Sequence, residues 1–173
     1  VLETWAKIIA ATPGSKFVFV RPESGVPAFK ASMIEAFARE GVHSDRIIFA
    51  AVRGQHMRWY NEMDISLDTF PQTGGTTTCE SLFMGVPVIS LVGPAFFERL
   101  SYSNLSNAGL GDLACFSIAD YIRKAVHLAA DIERRKLLRT GLRFDIRDRP
   151  LGQQHVFARD FYAMVEKTVT ENR

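Results

Sequence analysis

Cysteine is scarce: Cys79 and Cys115, far apart and in no paired spacing, are the two in the chain. That excludes a disulfide-stapled scaffold and a cysteine-type zinc site, and fits a reducing compartment, the cytoplasm. No apolar run approaches the roughly 20 residues that cross a bilayer, and no signal-peptide pattern is visible, so no membrane partner is expected. Neither sign of charge dominates: 21 Lys and Arg against 19 Asp and Glu leave +2. The basic residues are scattered, which argues against nucleic acid as a partner. No Asp-x-Asp pair is present, and His43, His127 and His155 lack partners at metal-ligand spacing. The expectation is a chemistry that needs neither metal nor cofactor.

What is there suffices for one domain. At 173 residues, 47% of them apolar, the chain can bury a core without staples, and residues 1–173 read as a single unit. It starts at Val1 within a helical pattern, so it is expected to be a piece of a longer protein. "LETWAKIIAATPG" has helical spacing closed by Pro13-Gly14, and "KFVFVRP" reads as a buried strand. "PAFKASMIEAFAREG" is a helix stopped by Gly41. "DRIIFAAV" is a strand, "HMRWYNEM" a short helix and "DISLDTF" a third strand. A helix from about Thr77 to Met84, the strand "VPVISLVG", the helix "AFFERLSYSNLSNAG" and a fifth strand in "LACFSI" follow. A long helical region to Ile146 breaks near Gly141, and its "ERRKLLR" run reads as a solvated face. "RDRPLGQQ" separates it from a final amphipathic helix, "GQQHVFARDFYAMVEKTVTEN". Apolar strands alternating with helices indicate a doubly wound α/β fold with a mainly parallel, Rossmann-like sheet.

In such sheets ligands sit beyond the carboxyl ends of the strands, where "SLDTF" runs into "PQTGGTTTCES". A helix beginning at Thr76–Thr78 offers unpaired N–H groups, a positive dipole end and hydroxyl donors, with glycines that allow close approach. That suits a phosphate. Glu80, on the first turn, would repel phosphate and suits the hydroxyls of a ribose. The same residues also fit a bare helix cap, Thr77 with Glu80 at capping-box spacing. Asp64 and Asp68 share a strand face by spacing, but Asp68 is expected to tether the loop rather than to act in acid–base chemistry. Cys79, near a helix N-terminus, is either activated or packed against the sheet.

The block "DISLDTFP…GTTTCESLFMGVPVISLVG" resembles the O-linked N-acetylglucosamine transferase and SPINDLY family of GT-B glycosyltransferases. "TWAKIIAATPGSKFVFVRP", "RIIFAAV", "HMRWYNEMDISLDTFP" and "RPLGQQHVFARDFYAMVEK" carry the similarity across nearly the whole chain. The resemblance implies the C-terminal, donor-binding lobe of a GT-B fold. It implies that Thr76 and Thr77 hold a diphosphate, that Glu80 contacts the ribose and that His56 lies close to the base. Gly75 stands where the animal enzymes have a histidine. Arg53, in the short loop "AAVRGQH", stands in for a family lysine.

The implied activity is transfer of a sugar, N-acetylglucosamine from UDP-GlcNAc, to Ser or Thr hydroxyls of proteins. The acceptor would be met by regions N-terminal to Val1, the other lobe and tetratricopeptide repeats. A sugar-nucleotide epimerase of GT-B architecture and a non-catalytic nucleotide- or protein-binding module are the alternatives. The last helix carries Val156, Phe157, Phe161, Met164 and Val165 near one stripe, expected to meet the first lobe or to form a homodimer.

Overall fold

The runs FVFV, IIFA and VISL, rich in β-branched and aromatic residues, and two shorter segments become strands, all of them parallel, in a computed structural model that describes residues 1–171. β1 (Phe17–Val20) pairs with β2 (Ile47–Ala50) from Phe17↔Ile47 to Val20↔Ala50. β4 (Val88–Leu91) lies between β3 (Ser66–Leu67) and β5 (Ala114–Cys115). Val88, Ile89 and Ser90 of β4 are all buried. Burial of consecutive residues means that both faces of the strand are covered, which is why β4 reads as an apolar run interrupted by Ser90 alone. The third and fifth strands are shorter than "DISLDTF" and "LACFSI" suggest, because the chain turns away to build loops at their ends.

The helices are α1 (Leu2–Ala11), α2 (Pro27–Ala38), α3 (Thr76–Phe83), α4 (Leu100–Asn107), α5 (Ile118–Ala130), α6 (Ile132–Arg147) and α7 (Gln154–Glu171). Asn172, which the sequence pattern assigns to the last helix, lies outside the described residues. The stretch "HMRWYNEM" forms a 3-10 helix, His56–Glu62. Phe96–Glu98 is a separate 3-10 turn ahead of α4, closed by the Glu98 carboxylate accepting the Ala95 N–H at 2.8 Å.

The long helical region does not break at Gly141, which lies inside α6. It breaks at Asp131, whose side chain accepts the Arg134 N–H at 2.9 Å and so starts a new helix. A mid-helix glycine costs only about 1 kcal/mol, and α6 absorbs it.

One apolar cluster runs from Trp5 and Phe19 through Val88 and Ile89 to Leu128 and Leu142. A buried polar chain crosses it. Trp5 Nε1 donates to the Tyr121 hydroxyl at 3.2 Å, and that hydroxyl donates to the Asp68 carbonyl at 2.8 Å. Tyr121, fully buried, thereby ties α1 and α5 to the end of β3, the root of the polar loop.

The "ERRKLLR" run is not simply a solvated face. Arg139 donates to the carbonyls of Tyr60 at 3.0 Å, Met84 at 2.9 Å and Met63, and Arg135 pairs with Asp64 at 2.9 Å. Arg139 thus joins the C-terminal end of α3 to the 56–63 turn. Gly85, at φ +75°, stops α3, and a Cβ there would stand 2.6 Å from the Arg139 carbonyl oxygen. No helix among the described residues is long and apolar enough to cross a membrane.

Candidate functional site

The loop 69–75 is held by its own carboxylate. Asp68, buried at the end of β3, accepts the Gly74 N–H on Oδ1 at 2.8 Å and the Ser90 hydroxyl on Oδ2 at 2.6 Å. Burial raises the Asp68 pKa above the ordinary carboxylate value, and bonds from Ser101, Ser90 and Gly74 oppose the rise. Asp64 stands apart, on the surface with Arg135. The expected tether is therefore in place, and the two aspartates do not converge.

The far side of the loop is pinned by α4. The Ser101 hydroxyl donates to the Gly74 carbonyl at 2.8 Å, and Asn104 Nδ2 donates to the Gly75 carbonyl at 3.1 Å. Thr73 is buried and donates both its N–H and its hydroxyl to the Phe97 carbonyl, each at 3.0 Å. With these carbonyls drawn back, the loop delivers the chain into α3 in one orientation. A Cβ at Gly74 would meet Thr78 Oγ1 at 2.6 Å and Thr77 Oγ1 at 2.8 Å, so glycine is required there by packing.

α3 starts at Thr76 with Gly75 as its N-cap, and no side chain caps it. The capping reading of Thr77 and Glu80 therefore fails: Thr77 lies inside the helix, and Glu80 turns elsewhere. Thr76 and Thr77 are exposed and their hydroxyls make no hydrogen bond, whereas Thr78 is buried against the Ser101 hydroxyl at 2.7 Å. Free N–H groups and two free hydroxyls at a positive helix end suit an anion with several acceptor oxygens. A hollow of about 680 Å³, lined by residues 69–77, opens in front of them.

Glu80 meets His56 across 24 residues of sequence, Oε2 to Nε2 at 3.0 Å. His56 opens the 3-10 turn, and Tyr60, four residues on, sends its hydroxyl to the Thr77 carbonyl at 3.3 Å. Burial, with the Glu80 charge adding to it, pushes the Tyr60 pKa up to about 12, so the group stays a neutral donor. Thr77 thus stands between the hollow in front of α3 and a larger groove that reaches His56 and Arg53. Arg53 is not brought to Glu80. It lies on the exposed 51–55 loop, where its charge acts on Glu23.

Tyr60, Ser101 and Asn104 were not singled out by sequence reasoning. Their signal is weak, a tyrosine on the His56 turn and polar residues three apart in "LSYSNLSN". Cys79 is half-buried, and burial raises its thiol pKa, the opposite of activation. Among the described residues no three His, Cys, Asp or Glu side chains gather as a metal site would require.

The sequence pattern of glycosyl transferase family 41 matches residues 1–161. The chain belongs to that family. It is 39% identical over 164 residues to the probable UDP-N-acetylglucosamine–peptide N-acetylglucosaminyltransferase SPINDLY of Eustoma exaltatum subsp. russellianum, covering 92% of this chain and 18% of the relative. To the probable enzyme SEC of Arabidopsis thaliana it is 32% identical over 147 residues, 83% of this chain and 15% of that one. Among solved structures, a mutant O-GlcNAc transferase of Thermobaculum terrenum superposes with a TM-score of 0.86 at 30% identity, covering 96% of this chain and 32% of the other. The family 41 chain described here thus spans about a sixth of the length of most of the curated relatives it matches, and its α/β fold with parallel sheets is that of the GT-B O-GlcNAc transferase.

Proposed function

We propose that this chain is the donor-binding lobe of a glycosyltransferase that moves N-acetylglucosamine from UDP-GlcNAc to Ser or Thr hydroxyls of proteins. The observation that carries the reading is the uncapped start of α3, with the free Thr76 and Thr77 hydroxyls one turn ahead of the Glu80–His56 pair. The diphosphate lies against the helix N-terminus, taking bonds from the N–H groups and the two hydroxyls. Glu80 accepts from the ribose hydroxyls and His56 borders the base. Arg53, at the rim of the larger groove, borders the nucleotide. Gly75, without a side chain, leaves the approach to α3 open.

As the bond to the sugar breaks, negative charge grows on the leaving diphosphate. The fixed positive end of α3 stabilises it without a metal ion. The acceptor side of the cleft comes from other parts of a longer polypeptide, and residues 1–173 serve as one donor-binding domain within it, working in the reducing cytoplasm. The apolar stripe of α7 meets another part of that polypeptide or a second copy.

Calorimetric titration with UDP, UDP-GlcNAc, GDP and uridine tests the reading. UDP and UDP-GlcNAc are expected to bind more tightly than uridine, the difference reporting the diphosphate. Equal affinity for UDP and uridine, or a preference for GDP, would overturn it.

A further inference from the structure

Three neutral carbonyls converge on one half-buried arginine of α6. Arg139 Nη1 donates to the Tyr60 carbonyl at 3.0 Å and to the Met84 carbonyl at 2.9 Å, and Nη2 donates to the Met63 carbonyl. Two of these carbonyls belong to the 56–63 segment, which begins with His56, and the third closes α3, which carries Glu80. The last carbonyls of a helix have no partner within it, and a cation there also meets the negative end of the helix dipole. A guanidinium offers its donors in a fixed planar fork, so it holds two segments in one geometry where a flexible ammonium does not.

The arginine is itself held in place. A Cβ at Gly85 would stand 2.6 Å from the Arg139 carbonyl oxygen, so the backbone of α6 presses directly on the stop of α3. One turn earlier on α6, Arg135 pairs at 2.9 Å with Asp64, the residue after Met63. At the opposite end of α3, Tyr60 donates its hydroxyl to the Thr77 carbonyl at 3.3 Å. The 56–63 segment is therefore fastened to α3 near both ends, at Thr77 and at Met84, about 10 Å apart by helical rise. Fastened so, it does not rock along the helix. His56 Nε2 is left 3.0 Å from Glu80 Oε2, which lies between the two points.

We propose that Arg139 is a positioning residue for the nucleoside half of the donor site. By fastening the 56–63 segment to α3 it sets the separation of His56 and Glu80, and with it the fit of ribose and base; this rests on the donor-binding function proposed above. The phosphate half is built differently. Thr76 and Thr77 are delivered by the 69–75 loop, which Asp68 and Ser101 hold through Gly74. The three bonds of Arg139 reach none of those groups. Loss of Arg139 therefore acts on one half of the site and spares the other. A general loss of stability would not divide them.

NMR titrations of the chain and of its Arg139→Met and Arg139→Lys variants test this. Both substitutions remove the fork, and the lysine keeps a charge at the end of α3. Uridine and UDP are expected to bind Arg139→Met about tenfold more weakly, as when one bond to a charged group is lost. Inorganic pyrophosphate, which reports the phosphate half alone, should bind as before. Arg139→Lys should show the same selective loss, and it gives the answer if the methionine variant does not fold. Nuclear Overhauser contacts between the His56 ring and the Glu80 side chain, recorded without ligand, should be present in the parent chain and lost in the variants. If the parent chain binds none of the three probes, the donor-binding function fails, and the His56–Glu80 contact alone decides on Arg139. Unchanged uridine affinity, an equal loss for uridine and pyrophosphate, unaltered binding by Arg139→Lys (charge alone sufficing), or a His56–Glu80 contact that survives the substitutions would each overturn the proposal.

Discussion

Thr77 and Glu80 lie three residues apart on α3 and do different work. The Thr77 hydroxyl is free at the helix start, and Glu80 is engaged by His56. A hydrogen bond to a charged group is worth about 1.5–3 kcal/mol, so Thr77→Ala should weaken UDP at least about tenfold. Uridine affinity should stay unchanged, because uridine lacks the phosphates. Glu80→Gln should weaken UDP and uridine alike. Neither change should lower the melting temperature as loss of an N-cap does, since neither side chain caps α3. Calorimetry and thermal melts on both variants check this, and a melting loss without any ligand effect would refute it. Cys79 gives a second test. Burial lifts its thiol pKa above the ordinary 9.0, so less thiolate is present at neutral pH than in a free thiol. Iodoacetamide should alkylate it more slowly than glutathione at pH 7.5, with a rate still climbing above pH 9. Mass spectrometry over a pH series reads the outcome, and rapid labelling at pH 7 would contradict it.

Among elements, α7 is the least supported. None of its residues is buried, and it follows the short 3-10 turn Pro150–Gly152. Its apolar side chains are nonetheless large: Phe157 and Phe161 stack at 6.1 Å while 68% and 46% exposed. Exposed stripes of this kind mark contact surfaces. Truncation after Gly152 should therefore change the unfolding free energy by less than about 0.5 kcal/mol, as expected for groups that touch little. The same truncation should remove any self-association seen by sedimentation. A large loss of stability would mean that α7 is part of this core. The contrast with α6 is instructive, because Arg139 there closes three carbonyls around the site and its loss would loosen the His56 turn from α3.

At the scale of the whole molecule, Thr76, Thr77, Glu80 and His56 gather beyond the end of β3. The chain covers 32% of the Thermobaculum O-GlcNAc transferase and 18% of a SPINDLY relative. The expected behaviour is nucleotide binding without sugar transfer. Incubation with UDP-GlcNAc and a Ser/Thr peptide library, read by mass spectrometry, should give no product above a heat-treated control. The longer polypeptide should give product with the same reagents. Transfer by residues 1–173 alone would show that the acceptor side is already contained in them.

What the sequence by itself determined is local. Strand and helix order follow from periods of two and 3.6, and the start of α3 follows from "GGTTT" ahead of an apolar run. Glycine stops such as Gly85 and Gly41, both at positive φ, are legible because few other residues adopt that backbone cheaply. Thr76, Thr77 and Glu80 share one turn, so their relation could be read without a fold. The family pattern gave His56 a place near the base and Glu80 one at the ribose, but their meeting came from the tertiary structure, since nothing local joins residues 24 apart. Tertiary structure decided the rest. It moved the helix break from Gly141 to the Asp131 cap, because competing stop signals are ranked by what each side chain can bond. It turned Ser101, Asn104 and Arg139 inward to bind loop carbonyls, because burial makes every unpaired carbonyl costly. It left Arg53 at the rim and separated two parallel sheets by a groove. Those outcomes depend on which distant surfaces meet, and distance along the chain carries no record of that.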